Sequence, residues 1–331
     1  MKTFRQLTLG LALASCFGSA NAYVNIVFDY TYDTNNFFTA DRRATLEQAA
    51  TAFETRVFDT LDAITSTPGG NSISLNIFSE VQIENANIGK NELRIYVNSA
   101  GSVGSTAGEA TPVSAIQGGM GIEGDQSYSD AAWSRGQTGW PDSEVGTWGG
   151  TISYSNTVSW YADSDVSTAE SFSGQWDLYT ATLKGLVEIM GVSDNGVDTA
   201  YLGKLNGVSN FNGEKAKIEY DVRGGRQNLL QAVPTEKILS NNTRLAANIK
   251  GDLTLNGVET EQLALLAWGL SMGERRHMTE LDWAVMDDIG WDVTGFTEMP
   301  NTPPVPEPQT WAMLAAGLGL IGLQARKKMR G

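Results

Sequence analysis

The chain has 331 residues, a formal net charge of −15 and a single cysteine, Cys16. Setting aside the two terminal segments described below leaves 17 basic and 37 acidic residues, a net charge of −20, which excludes nucleic acid and anionic lipid as ready partners because like charges repel. That remainder has no cysteine, so it forms no disulfide and must be held by a hydrophobic core, for which about 280 residues suffice.

At the N-terminus, Lys2 and Arg5 precede an apolar run over 7–14 that is too short to span a bilayer. Ala20-Asn21-Ala22 then offers the small-x-small pattern read by signal peptidase, which predicts a signal peptide over 1–22 and a mature chain from Tyr23. Leu13-Ala14-Ser15-Cys16 is a rival, lipoprotein-type cut that would leave a lipidated Cys16.

Alternation of Val24, Ile26, Phe28, Tyr30 and Tyr32 predicts a strand over 24–32. A helix capped by Thr39 or Asp41 is expected over 40–64, its apolar face carrying Ala44, Ala49, Ala52, Phe53, Val57, Leu61 and Ile64. Strands follow over 73–77 and 92–97, an α/β or α+β opening. Residues 99–146 are rich in Gly, Ser and Asp and read as long loops. A strand over 148–154, a helix over 176–192, an irregular stretch over 206–242 interrupted by Pro234, a short apolar segment over 260–269 and a last helix over 281–289 started by Thr279 complete the region. Pro300 to Pro304 form a linker.

The C-terminal segment has three features in fixed order. Val305-Pro306-Glu307-Pro308 is followed by an apolar run over 311–323, and Arg326, Lys327, Lys328 and Arg330 close the chain as a stop-transfer cluster. This resembles the PEP-CTERM sorting signal. The resemblance implies transient anchoring in the inner membrane of a Gram-negative bacterium, cleavage near Pro-Glu-Pro by an exosortase, and delivery to the cell surface or an exopolysaccharide matrix.

Five stretches of the central region carry a second likeness: Phe28-Asp29-Tyr30 before the long helix, Leu93-Arg94-Ile95-Tyr96-Val97, Trp148 to Tyr154, Asp177 to Leu183, and Thr279 to Trp291. In that order they resemble exported bacterial matrixin-like zinc metalloproteases. The resemblance implies an α+β fold of metzincin type, a mixed sheet with long helices, flanked by the signal peptide and a transmembrane sorting helix. It divides the chain into a signal peptide over 1–22, a metalloprotease-like extracellular domain over 23–299, the linker over 300–304 and the sorting signal over 305–331.

The family's zinc helix should read H-E-x-x-H, two imidazoles on one face and a glutamate as general base. Here Lys184, Gly185 and Glu188 stand in those places, Gly191 matches the turn glycine, Asp194 sits where a third ligand can occur, and Leu266 replaces the methionine under the zinc. No metal site and no catalytic residue follow. Lys184 and Glu188, at i and i+4, are expected either to pair in place of the metal or to be ordinary solvated residues. The reading is a non-catalytic binding or structural protein; the alternatives are a hydrolase with a non-standard site around Glu188 and Asp194, and a carbohydrate-binding matrix protein.

Other candidates are weaker. Gly269-Leu270-Ser271-Met272-Gly273 matches G-x-S-x-G but lacks a distant histidine, His277 being the chain's only one, so a turn is expected. His277 itself reads as a surface or capping residue. The loops bearing Asp163, Asp165, Asp194 and Asp198 fit either Ca²⁺ or plain solvation. Trp133, Trp140, Trp148 and Trp160 are sugar-stacking candidates if exposed and anchors if not.

Overall fold

The structure is a computed structural model. It describes residues 23–295 except 79–80, 102, 104, 107–108, 111, 169–170, 193–198, 207–209, 224–231 and 240–241. The signal peptide with Cys16, Ala20 and Ala22, the linker and the sorting segment lie outside the described residues.

In chain order the first half runs β1 (Asn25–Asp29), α1 (Ala40–Glu54), β2 (Ser72–Ile77), β3 (Val81–Ile83), β4 (Glu92–Ala100), β5 (Ser105–Thr106), β6 (Glu109–Ala110), β7 (Val113–Gln117), β8 (Met120–Glu123) and α2 (Gln126–Ser134). The second half runs β9 (Gly149–Ser155), β10 (Trp160–Tyr161), β11 (Trp176–Asp177), α3 (Leu178–Ile189), α4 (Ala200–Gly203), β12 (Leu205–Asn206), β13 (Asn210–Phe211), α5 (Glu214–Ile218), β14 (Val233–Leu239), β15 (Asn242–Leu245), β16 (Lys250–Leu255), β17 (Val258–Leu263) and α6 (Glu280–Asp288). This is a mixed α+β protein with several sheets and few helices.

The main sheet has the order β1-β4-β9-β7. β1, β4 and β9 are parallel, and β7 adds an antiparallel edge. The parallel strands alternate less than a half-solvated strand would: β9 is buried at six of its seven positions. Gly149 has φ of +128°, and a Cβ there would run into the backbone of Arg94 on β4, so glycine is what lets the two strands lie side by side. Helices α1 and α3 pack against each other and on the sheet, α1 through Leu46, Ala49 and Phe53 and α3 through Leu183, Leu186 and Ile189. A second core lies around the three-stranded sheet β3-β2-β8, where Ile73, Leu75 and Ile77 meet Tyr96, Trp148 and Ala132.

Arg135 ties these layers together. It caps α2 in the left-handed region (φ 49°) and is fully buried. Its Nε donates to Asp62 O at 2.8 Å, Nη1 to Glu92 O at 2.8 Å and Thr147 O at 2.9 Å, and Nη2 to Gly89 O at 2.8 Å. Burial pushes its pKa down to about 10, with Glu92 and Asp62 opposing, so it stays charged.

Several expectations are corrected. The first helix ends at Glu54, not near 64. Thr55 Oγ1 turns back to Thr51 O at 2.8 Å, and Val57 leaves to bridge Val293. Val57, Leu61 and Ile64 are fully buried or nearly so, but on extended chain, where their spacing imitates a helical face. The supposed loops over 99–146 contain β5 to β8 and α2. The irregular stretch 206–242 contributes β13, α5 and β14, with Pro234 paired at a strand end opposite Asn210. The helix predicted from 176 starts at Leu178, after the short strand β11. The last helix is as read, Thr279 and Asp282 forming a reciprocal capping box. Among the described residues no helix is long and apolar enough to cross a membrane; the sorting helix expected over 311–323 is outside them.

Two outcomes follow from buried charge. Arg135→Lys keeps the charge but cannot reach four carbonyls. It should destabilise the fold by on the order of 3 kcal/mol, read as a lower urea midpoint. Asp59 is 6% exposed, and burial, with Asp292, Glu144 and Asp287 nearby, pushes its pKa up to about 7. Its raised pKa means that the folded state binds the extra proton, so stability is lost as pH rises from the unfolded value near 4 through about 7. Asp59→Asn keeps the acceptor for Asp292 N–H, and should melt higher than the parent at pH above 7 by on the order of 2 kcal/mol, with no gain near pH 4.

Candidate functional site

Helix α3 begins where Asp177 accepts Thr180 N–H at 3.1 Å, and it presents Lys184 and Glu188 on one side, toward the segment 264–277 and β15. They do not pair with each other. Lys184 Nζ donates to Ala267 O at 2.9 Å, with Gly269 O at 3.5 Å. Glu188 takes Arg244 Nη2 at 2.8 Å. The partner of Glu188 is 56 residues away in sequence, which the i, i+4 spacing could not reveal.

Arg276 joins them. Its Nε bonds Glu274 at 2.8 Å and its Nη1 reaches the same Ala267 carbonyl at 3.4 Å. Lys184, Arg244 and Arg276 thus converge on one patch. Burial, then repulsion from Arg276 and Arg244, pushes the Lys184 ammonium down to about 7, against the pull of Glu188 and Asp282. Burial alone would raise the Glu274 carboxyl; Arg276 overcomes it and holds the group below the ordinary range.

The segment under α3 is fixed from the other side. Asp282, fully buried, accepts Leu265 N at 2.8 Å, Leu266 N at 2.9 Å, and both Thr279 N and Oγ1 at 2.7 Å. Burial pushes its carboxyl up against these donors. Leu266 is therefore a buried backbone anchor of this turn.

Gly185 faces the sheet. A Cβ there would sit 2.8 Å from Ile152 Cδ1 and 3.3 Å from its Cγ1. Glycine at this place lets α3 approach β9 closely, and the position offers no room for a general base. Zinc does not fit the residues present: a lysine and two arginines occupy the patch, and cations repel one another. Among the described residues no three His, Cys, Asp or Glu side chains are placed to hold a metal ion.

The remaining candidates separate. Asp194 and Asp198 lie outside the described residues. Asp163 pairs with Arg275 at 3.0 Å and accepts Asp165 N at 2.8 Å, while Asp165 takes the Ser167 hydroxyl at 2.6 Å, a local turn network. Ser271 is exposed on a turn between Gly269 and Gly273, both at positive φ, near Glu274. His277 is half-buried rather than freely exposed. Its ring lies 5.2 Å from that of Tyr179, and burial, then Arg275, pushes it down to about 4. Trp148 and Trp160 are buried anchors, and Trp133 and Trp140 stack on each other at 6.0 Å.

Residues 304–328 match the family described as the PEP-CTERM protein-sorting motif. The chain carries that sorting motif. Val305-Pro306-Glu307-Pro308, the apolar run and Arg326, Lys327 and Lys328 fall inside the matched stretch, and Arg330 lies just beyond it. A PEP-CTERM motif marks an exported protein processed by an exosortase and destined for the surface or the exterior. Neither curated proteins nor solved structures give a match.

Because the folded pKa of Lys184 is lowered, its stability contribution is lost as pH falls from the usual lysine range through about 7. Lys184→Met should therefore melt higher than the parent at pH 6, by on the order of 1 kcal/mol, and lose that advantage above pH 10, followed by thermal unfolding across the range.

Proposed function

We propose that this PEP-CTERM protein is a non-catalytic relative of matrixin-like metalloproteases, serving as a binding or structural component at the cell surface or in the exopolysaccharide matrix. In this reading signal peptidase cuts after Ala22, the run over 311–323 holds the chain in the inner membrane with Arg326, Lys327, Lys328 and Arg330 on the cytoplasmic side, and an exosortase cuts near Pro306-Glu307-Pro308.

Support comes from architecture and from the patch on α3. Three parallel strands with an antiparallel edge, two long helices on the sheet and a turn beneath α3 are the arrangement expected of such a domain. The observation that carries the non-catalytic part is the commitment of both key side chains, Lys184 to Ala267 O and Glu188 to Arg244. Neither is left to bind a metal or activate water, and Gly185 has no proton to move.

The test uses the full chain expressed with and without an exosortase. Metal content and peptide cleavage are measured with and without added Zn²⁺ and chelator, and the product is weighed by mass spectrometry. The expected outcome is sub-stoichiometric zinc, no chelator-sensitive cleavage, and a cut near the Pro-Glu-Pro motif only when the exosortase is present. Stoichiometric zinc with chelator-sensitive cleavage would favour the alternative, a hydrolase with a non-standard site, and overturn the proposal.

A further inference from the structure

Away from the α3 patch, a cleft of about 300 Å³ opens between Ser167, Thr168 and Phe172, the hairpin β16–β17 and the segment 273–277. Ser167, Phe172, Leu255, Gln262, Arg275 and His277 line it. Asn256 at the hairpin tip donates to Ser167 O at 3.1 Å and closes one side. We propose that this cleft binds an uncharged sugar unit.

The charges around it select against ions. Arg275 already faces two carboxylates, Asp163 at 3.0 Å and Asp177 at 3.1 Å, so the neighbourhood has no spare positive charge to draw an anion. A metal ion would find one imidazole and no second or third ligand among the described residues. A neutral molecule is left, and the lining fits one with hydroxyl groups and an apolar face. Phe172, itself only 5% exposed, stacks flat on Tyr161, with centroids 4.5 Å apart and 7° between planes, so the part of it that lines the cleft is a rigid apolar edge for sugar C–H groups to pack on.

His277 supplies the polar contact. Gln262 is engaged with its backbone, through Nε2 to His277 O at 2.6 Å, but among the described residues neither ring nitrogen has a hydrogen-bond partner. Kept neutral by burial, the imidazole has one donor and one acceptor, the pair that a hydroxyl group can satisfy. The volume lies at the low end for small-molecule sites, which suits a single ring.

The proposal deepens the reading of an exported binding protein, yet its test involves neither zinc nor peptide cleavage, so either can fail alone. His277 is the only histidine, so the full chain labelled with ¹³C-histidine gives one Cε1–H resonance from the site. It is titrated with glucose, galactose and N-acetylglucosamine, and separately with acetate and zinc chloride. The expected result is a saturable shift with at least one sugar at millimolar concentration, none with acetate or zinc, and loss of the sugar shift in Thr168→Trp, which fills the exposed rim. No shift with any sugar, a shift with acetate or zinc alone, or a sugar shift that persists in Thr168→Trp would overturn the assignment.

Discussion

A buried guanidinium with no carboxylate hydrogen-bonded to it has to find its hydrogen bonds in dipoles, and Arg135 finds them in four carbonyls drawn from Asp62, Gly89, Glu92 and Thr147, with the Glu92 and Asp62 charges acting from farther off. Two of these belong to the chain at the start of β4 and one to the chain entering β9, so these two central strands of the main sheet start from a common fixed point. Asp62 returns the contact through its own N–H to Arg135 O at 2.7 Å. The three-stranded sheet and α2 pack beside this node, and Trp148 and Tyr96 belong to their core. Without it, the three non-helical segments at 62, 89–92 and 147 would have to satisfy these backbone carbonyls separately, which the interior seldom allows.

The second organising element is the ring of charge around the turn at 264–269. Asp282 grips the turn from α6 through two backbone N–H groups, and Lys184 and Arg276 grip its Ala267 carbonyl from the other side. An anion on amides and cations on a carbonyl are complementary, so the turn is held by both ends of its peptide dipoles. Arg275 extends the system to Asp163 and Asp177 while lying near the rings of Tyr161, Phe172 and Tyr179. The result is a domain whose polar interior is devoted to fastening loops.

Much of this was legible in the sequence where the signal is local. The start of the last helix at Thr279, the Trp148-Gly149-Gly150 strand start and the apolar face of α3 depend on neighbours within a turn or a strand. The end of α1 was not legible, because Val57, Leu61 and Ile64 keep a helical spacing while tertiary partners such as Val293 and Ile88 draw them into extended chain. The edge strand β7 was hidden because its short run Val113–Gln117 is half-exposed and shows no alternation of buried and exposed positions. At the candidate site, the identity and place of Lys184, Gly185 and Glu188 could be read, but their partners could not. Arg244, Ala267 and Arg276 come from distant segments, and a carbonyl leaves no mark in a sequence. Arg135 is the plainest case: nothing in a glycine-rich stretch distinguishes the arginine that organises the fold from one that faces water.

The contact between Gly185 and Ile152 acts as a ratchet in sequence space. Any larger residue at 185 meets the side chain of a central strand, so a change there gains nothing until Ile152 has first become smaller, and that first step leaves a hole in the core. Each move is harmful without the other. A lineage that has settled into this packing can alter its loops and its surface freely, while the helix facing the sheet stays where it is.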